Sequence, residues 1–250
     1  LGRPDWDHGF ITPVGSDWAE RKALVTRCAP FHGFVVRYVR PEGVVAYGSI
    51  SGEPIMAADG ALKGYQGIGK DVTAEIVLRQ RLRMQHDVTR ILSEAKDASR
   101  AILAVLETIC RTMDWSWGAR RHLDQESLLL TCHEHWLVPG LRADDFVALA
   151  MVPKKGDTSS GTVSRAIMRG EIMVFTDHTS ISLRRSKAAH EAGLRGAAVV
   201  PIRRSRGPGD ALEFFSARVE VPDQVLLDTL EAVGRELGQF MDSAETQAIN

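Results

Sequence analysis

Residue types able to do chemistry concentrate at a few places in the chain. Cys132-His133-Glu134-His135, with His122 upstream, gathers thiol, imidazole and carboxylate within a short stretch. Side chains alternate between faces along a strand, so Cys132 and Glu134 are expected on one side and His133 and His135 on the other. Two imidazoles on one face could share a metal, but a structural zinc needs four ligands and no second cluster accompanies them. No tight metal site is expected there, and these histidines, like His86, read as solvated residues. Gly64-x-x-x-x-Gly69-Lys70 nearly matches a phosphate-binding loop, yet Asp71 stands where a Ser or Thr would hold magnesium. The segment also has a strand pattern instead of a strand-to-helix turn, so its glycines read as close-packing or bulge positions. Ser159, Ser160 and the cysteines have no histidine and acid at recognisable spacing, which leaves nucleophilic catalysis without support. Arg184, Arg185, Lys187, Arg195, Arg203, Arg204 and Arg206 make the second half locally basic, either as a solvated face or toward an anionic ligand or partner. Asp177 could cap the following loop or touch a ligand.

The elements that must position these residues follow from composition and periodicity. The 250 residues correspond to one large or two ordinary domains. Lysine plus arginine total 31 against 32 acidic residues, a net charge of -1, which is not the basic excess of a nucleic-acid binder. A hydrophobic share of 44% with 25% charged residues describes a globular chain able to bury real cores. No apolar run approaches the roughly 18 residues that span a bilayer. Cys28, Cys110 and Cys132 are an odd, widely spaced set, which fits reduced thiols and a cytoplasmic location better than a disulfide framework. The opening Leu1-Gly2-Arg3-Pro4-Asp5-Trp6 shows neither an initiator Met nor a signal-peptide pattern, and reads as part of something longer.

Ser16-Asp17 caps a helix that runs until Pro30. Three strands follow, over 34–39, 44–50 and 62–68, separated by Arg40-Pro41-Glu42-Gly43 and by Ala58-Asp59-Gly60. One helix and three antiparallel strands make a small unit, short of something upstream or of a partner over its open face. From Asp71 charged residues alternate with apolar ones, and Leu78, Leu82, Val88, Leu92, Ala95, Ile102, Leu106 and Ile109 form nearly one stripe. Asp97 or Ser99 caps a fresh helix, so two helices are expected, broken near residue 97. Beyond them strands over 127–133, 173–175, 197–202 and 212–219 mix with helices over 144–151, from 160 to Gly170, and 186–192. An amphipathic helix over 223–241 closes the chain, with Val225, Leu226, Leu230, Val233, Leu237 and Phe240 as its stripe.

Two resemblances rest on quoted residues. Ser49-Ile50-Ser51-Gly52-Glu53-Pro54-Ile55, then Asp59-Gly60, then Gly64-Tyr65-Gln66-Gly67-Ile68-Gly69-Lys70-Asp71-Val72-Thr73 resembles the C-terminal half of a PAS sensory domain, whose last strand ends in such an Asp-Val-Thr before a linker helix. The match covers residues 1–73 and lacks the early strands, so its ligand pocket is incomplete. Residues 97–245 are similar to a GAF domain, on Leu106-x-x-Ile109, Trp117-Gly118-Ala119, Leu130-x-Cys132-x-x-x-Trp136, Gly161-x-Val163, Phe175-x-Asp177, Ala192-Gly193-Leu194-Arg195-Gly196, Val200-Pro201-Ile202, Leu212-Glu213-Phe214-Phe215-Ser216 and Gly234-x-x-Leu237-Gly238-Gln239-Phe240.

The resemblance implies an α+β fold with three parts: the PAS half with its antiparallel sheet (1–73), a linker or signalling helix (74–96), and a GAF domain (97–245) whose central antiparallel sheet is flanked by helices. It further implies a non-enzymatic sensory input module of a bacterial signal-transduction protein, bound to a small-molecule ligand of unknown identity. An output domain outside this chain would be a histidine kinase or, alternatively, a cyclic di-GMP cyclase or phosphodiesterase; a ligand-free dimerisation module is the other alternative. No nucleic acid, membrane segment or metal is expected in this part. A homodimer would pair the helix 74–96 as a coiled coil through Leu78, Leu82, Val88 and Leu92, with the closing helix beside it. A ligand would sit between the sheet and its covering segments. Trp117 and Trp136 would wall that space, and His133, Asp177, His190 and Arg195 would supply its polar groups.

Overall fold

The computed structural model describes residues 11–40, 44–156, 161–175, 183–205, 207, 209–218 and 222–249, with the backbone alone at 183, 184, 248 and 249. It divides into two compact bodies, Leu1–Arg79 and Gln80–Asn250.

In the smaller body, β1 (Ile11–Pro13), β2 (Phe31–Val39), β3 (Val45–Met56) and β4 (Leu62–Asp71) form an antiparallel sheet in chain order, with α1 (Trp18–Thr26) between the first two strands. Asp17 caps α1 by accepting from the Glu20 amide at 2.8 Å. Phe31, Phe34 and Val36 bury one face of β2, with Trp18, Leu24, Ile50 and Tyr65 packed on them. The guanidinium of Arg21 lies 4.6 Å from the Phe31 ring centre and 5.3 Å from that of Phe34. The glycine-rich run is strand β4 paired with β3, not a phosphate-cradling turn, and Lys70 bonds Glu75 at 2.9 Å. Only part of that run is close-packed: a side chain at Gly67 would overlap the Ser51 carbonyl, whereas Gly69 faces open space. At the end of β4 the Asp71 carboxylate accepts from the Thr73 amide at 2.8 Å, and the Thr73 hydroxyl accepts from the Tyr47 amide at 2.9 Å. These bonds start α2 (Thr73–Ser93).

In the larger body, β5 (Trp117–Leu123), β6 (Leu129–Leu137), β7 (Lys154–Lys155), β8 (Met173–Phe175), β9 (Gly196–Ile202) and β10 (Asp210–Ser216) form an antiparallel sheet ordered β7-β6-β5-β10-β9-β8. The helices α3 (Ala98–Met113) and α7 (Gln224–Ile249) cover one face, packing Ile102, Leu106, Ile109, Leu230, Val233 and Leu237 against Val200, Leu212 and Phe214. The other face carries α4 (Asp144–Met151), α5 (Thr162–Arg169) and α6 (Leu183–Glu191), through Phe146, Ala150, Ala189, Val163 and Ile167 among others. The mixed α+β class with antiparallel sheets is therefore as expected. The break between α2 and α3 falls where the sequence places it, with Asp97 accepting from the Arg100 amide at 2.7 Å. Strands β1, β5 and β7 are additions to the expected elements.

One expectation needs correction. Val88 and Leu92 are buried inside the larger body, with Met84, against α3 and α7, so they are core residues and not part of a seam between two chains. Leu78 and Leu82, earlier on α2, are exposed at 49% and 59%. The stripe that sequence periodicity reads as continuous serves the body's own core along its second half.

Candidate functional site

The period of two along β5 sends neighbouring arginines to opposite faces of the sheet. Arg120 points toward α3 and α7. It donates to Glu134 on β6 at 2.6 and 3.2 Å and to Asp210 at the start of β10 at 2.8 Å. Ser99 at the start of α3 donates to the same Glu134 at 2.8 Å. Arg204 completes the network, donating to Asp242 of α7 at 2.9 Å and standing 2.6 Å from Glu245 and 3.5 Å from Asp210. A cleft of about 360 Å³ opens over it, floored by Ile102 and Met241 and edged by His122 and His133. Burial pushes the Glu134 carboxyl up, but the hydrogen bond and charge of Arg120 outweigh it and hold the group below the usual carboxylate range.

Arg121 points the other way, beneath α4 and α6. Its Nη1 donates to the Ala150 carbonyl at 2.7 Å, and its Nε lies 3.8 Å from Glu213 on β10. Glu213 is buried in the middle of that strand and takes a bidentate pair from Arg185 of α6, at 2.8 and 2.6 Å. Phe146 and Phe215 stack on the Arg185 guanidinium, 5.0 and 5.1 Å from their ring centres. Burial alone would raise the Glu213 pKa, but the positive charges of Arg185 and Arg121 bring it below its ordinary value. Lys154 on β7 lies close enough to feel these groups: burial, then the repulsion of Arg185, lower its pKa. Cys132 sits on the same face, where burial raises its thiol pKa and keeps it protonated.

Of the six residues expected to line a ligand site, the five that are described do not converge. Trp117 is buried on the α4–α6 face, its ring against Phe146 and His135. Trp136 packs with the core on the α3–α7 face. His133 also lies on that second face, at the edge of the cleft. His190 is exposed at the end of α6, where Arg195 reaches its carbonyl at 3.0 Å and its ring at 3.1 Å. Asp177 lies outside the described residues. The proposed enclosure between Trp117, His133 and Trp136 is thus overturned, because the sheet itself separates them.

Register parts the two tryptophans, since Trp136 pairs with Gly118 and not with Trp117, and a β-bulge parts His133 from His135. Ala119 pairs with His135 and Arg121 with Cys132, so Arg120 alone stands opposite both His133 and Glu134. A bulge of this kind shifts the alternation by one residue. His133 and Glu134 therefore share the α3–α7 face, whereas Cys132 and His135 share the other, and the two imidazoles expected together are apart. Among the described residues no group of three His, Cys, Asp or Glu side chains is placed to hold a metal. The residues that sequence reasoning passed over are Arg120, Arg121, Lys154, Asp210 and Glu213. One signal was legible: a single glutamate inside Leu212-Glu213-Phe214-Phe215, since an unpaired charge is almost never fully buried in a core strand.

No family model matches this chain, and no curated protein matches it either. Solved structures do. The GAF domain of a phosphoenolpyruvate-protein phosphotransferase from Coxiella burnetii aligns over 69% of this chain and 98% of its own, at 13% identity and a TM-score of 0.55. The phycocyanobilin-bound GAF domain of a cyanobacterial phytochrome aligns over 67% and 96%, at 8% identity and a TM-score of 0.53. Free methionine-R-sulfoxide reductase from Neisseria meningitidis, in complex with its substrate, aligns over 67% and 91%, at 15% identity and a TM-score of 0.52. These likenesses show that the larger body, with its six-stranded antiparallel sheet between two helical layers, carries the GAF fold.

Proposed function

We propose that the larger body is a sensory module that binds a small molecule on the sheet face beneath α4 and α6, and that it regulates an output domain outside this chain. The observation that carries this reading is the buried polar centre of Arg121, Glu213, Arg185 and Lys154 in an otherwise apolar layer of Trp117, Phe146 and Phe215. A few convergent polar groups on apolar walls are the usual composition of a ligand site. Two of the similar structures hold small molecules, a bilin in one and the reductase's substrate in the other. The smaller body, with its Asp71-Val72-Thr73 junction into α2, is the C-terminal half of a PAS domain in this reading. The output domain is a histidine kinase by preference, or a cyclic di-GMP cyclase or phosphodiesterase, and this part of the protein acts in the cytoplasm without catalysis of its own. Among the described residues no helix is long and apolar enough to cross a membrane.

The ligand biases two arrangements of the helices by binding one more tightly than the other. Native mass spectrometry of the purified protein is the test: a retained small molecule, lost in an Arg121→Met variant that still unfolds cooperatively, supports the reading, and a protein that never holds one overturns it. The exposed Leu78 and Leu82 favour a second component of the reading, a homodimer along the first half of α2. Light scattering at tens of micromolar should give the mass of two chains, and Leu82→Glu should shift it toward one, whereas a wild-type monomer would remove the dimer from the scheme.

A further inference from the structure

The two ionic networks of the larger body differ in one respect. On the α3–α7 face each guanidinium is matched: Arg120 by Glu134 and Asp210, and Arg204 by Asp242, Asp210 and Glu245. On the α4–α6 face, among the described residues, two guanidiniums, Arg121 and Arg185, stand at one carboxylate, Glu213, and the ammonium of Lys154 is near enough to feel all three. Arg185 engages both oxygens of that carboxylate. Arg121 is held by a backbone carbonyl, which carries no countercharge. The Nε atoms of Arg121 and Arg185 are buried without any hydrogen-bond partner, as is Nε1 of Trp117 on the same face. A buried cation without a full countercharge is costly, because its desolvation is not repaid by an opposite charge, and an anion entering the centre would relieve that cost. Cys132 does not supply the missing charge, because burial keeps its thiol neutral.

We propose that this centre takes an anionic group of the bound molecule, a carboxylate or a phosphate, held between Arg121, Arg185 and Lys154. The inference rests on the ligand-binding reading above and adds the chemical class of the ligand. Planar guanidinium forks suit the paired oxygens of either group. Lys154, half-buried on β7 at the edge of the sheet, meets the group on the solvent side. Glu213 then acts as a positioning residue: it aligns Arg185 and keeps the two guanidiniums side by side while the anion is absent.

Thermal unfolding and titration calorimetry test this with inorganic phosphate and with succinate as probes, each against chloride at equal ionic strength. The expected result is a rise in Tm beyond that in chloride with at least one probe. Phosphate alone would assign a phosphate, succinate alone a carboxylate, and both would leave the shared oxyanion chemistry. Lys154→Gln should weaken the effective probe at least tenfold, while the anion-free variant unfolds at the same temperature as the wild type or a higher one, since it relieves repulsion. Indifference of the wild type to both probes would overturn the proposal, as would an undiminished response in Lys154→Gln. If the indifferent wild type nevertheless retains an uncharged molecule in native mass spectrometry, only the anionic class falls; if it retains nothing, the sensory reading falls with it.

Discussion

Arg120 and Arg121 show how much depends on a single residue step. Both are strand residues of β5, yet one ties β6 to β10 on the α3–α7 side of the sheet and the other builds a polar centre under the opposite layer. The sequence carried part of this: Arg185 was legible within a basic stretch, and Glu213 within an apolar one. Their bidentate pairing was not, because it joins α6 to β10 across 28 positions of chain. The charge balance makes the two partners unequal. Among the described residues, removing Glu213 leaves three cations with no anion, whereas removing Arg185 leaves Glu213 still facing Arg121 and Lys154. Glu213→Gln is therefore expected to lower stability by about 3–5 kcal/mol, the range for breaking a buried pair, and Arg185→Met by clearly less. Urea unfolding of the two variants checks the order, and equal losses would contradict the charge imbalance.

At the scale of elements, the position of α7 against β9 depends on two glycines. A Cβ at Gly234 would stand 2.6 Å from the Pro201 carbonyl oxygen, and one at Gly238 would overlap the carbonyl of Arg203. The helix thus lies directly on the backbone where the strand ends. Glycine inside a helix costs about 1 kcal/mol relative to alanine, so the two positions give up propensity for close approach. Gly238→Ala would recover that propensity and still destabilise, by about 1–3 kcal/mol net, because a rigid backbone atom and not a side chain must move. A thermal melt of the variant measures the difference, and a rise in Tm would show that α7 is free to shift. Both glycines were visible in the sequence within the motif Gly234-x-x-Leu237-Gly238. What they touch did not, since β9 lies about thirty residues earlier in the chain. The same holds for α2, whose stripe is visible but whose Val88 and Leu92 are claimed by the larger body's own core.

For the whole molecule, the carboxylates that tie elements together set its response to acid. Burial raises the pKa of Glu134, Glu213 and Asp242, but in each the net displacement is downward. The guanidiniums of Arg120 and of Arg185 with Arg121 outweigh burial at the two glutamates, and the Ser205 amide with Arg204 does so at Asp242. Each therefore binds its proton more weakly folded than unfolded. The stability they contribute is present above the ordinary carboxylate pKa of about 4 and is lost as the pH falls through the lowered folded values. Tm should stay level from neutral pH to near that value and then drop steeply, with a shallower drop in Glu134→Gln, which no longer titrates. A Tm that held in acid would mean that these pairs contribute little.

Composition and periodicity by themselves determined most helix and strand positions and the break at Asp97, while the quoted motifs carried the resemblance to a GAF domain and the α+β class it implies, because each of these is set by neighbours within a few residues. Only the tertiary structure decided where the chemistry gathers. The bulge at His133 and Glu134 exists because one strand has a residue more than its partner can match, which is a property of the pair and not of either segment. By placing His133 beside Glu134 on the α3–α7 face it separated the two histidines, and the crossing of β5, β10, α6 and β7 brought together a buried polar centre from residues up to 92 positions apart, Arg121 and Glu213 among them. A buried charge balance is a sum over groups brought together by folding, and no local pattern in the chain encodes it.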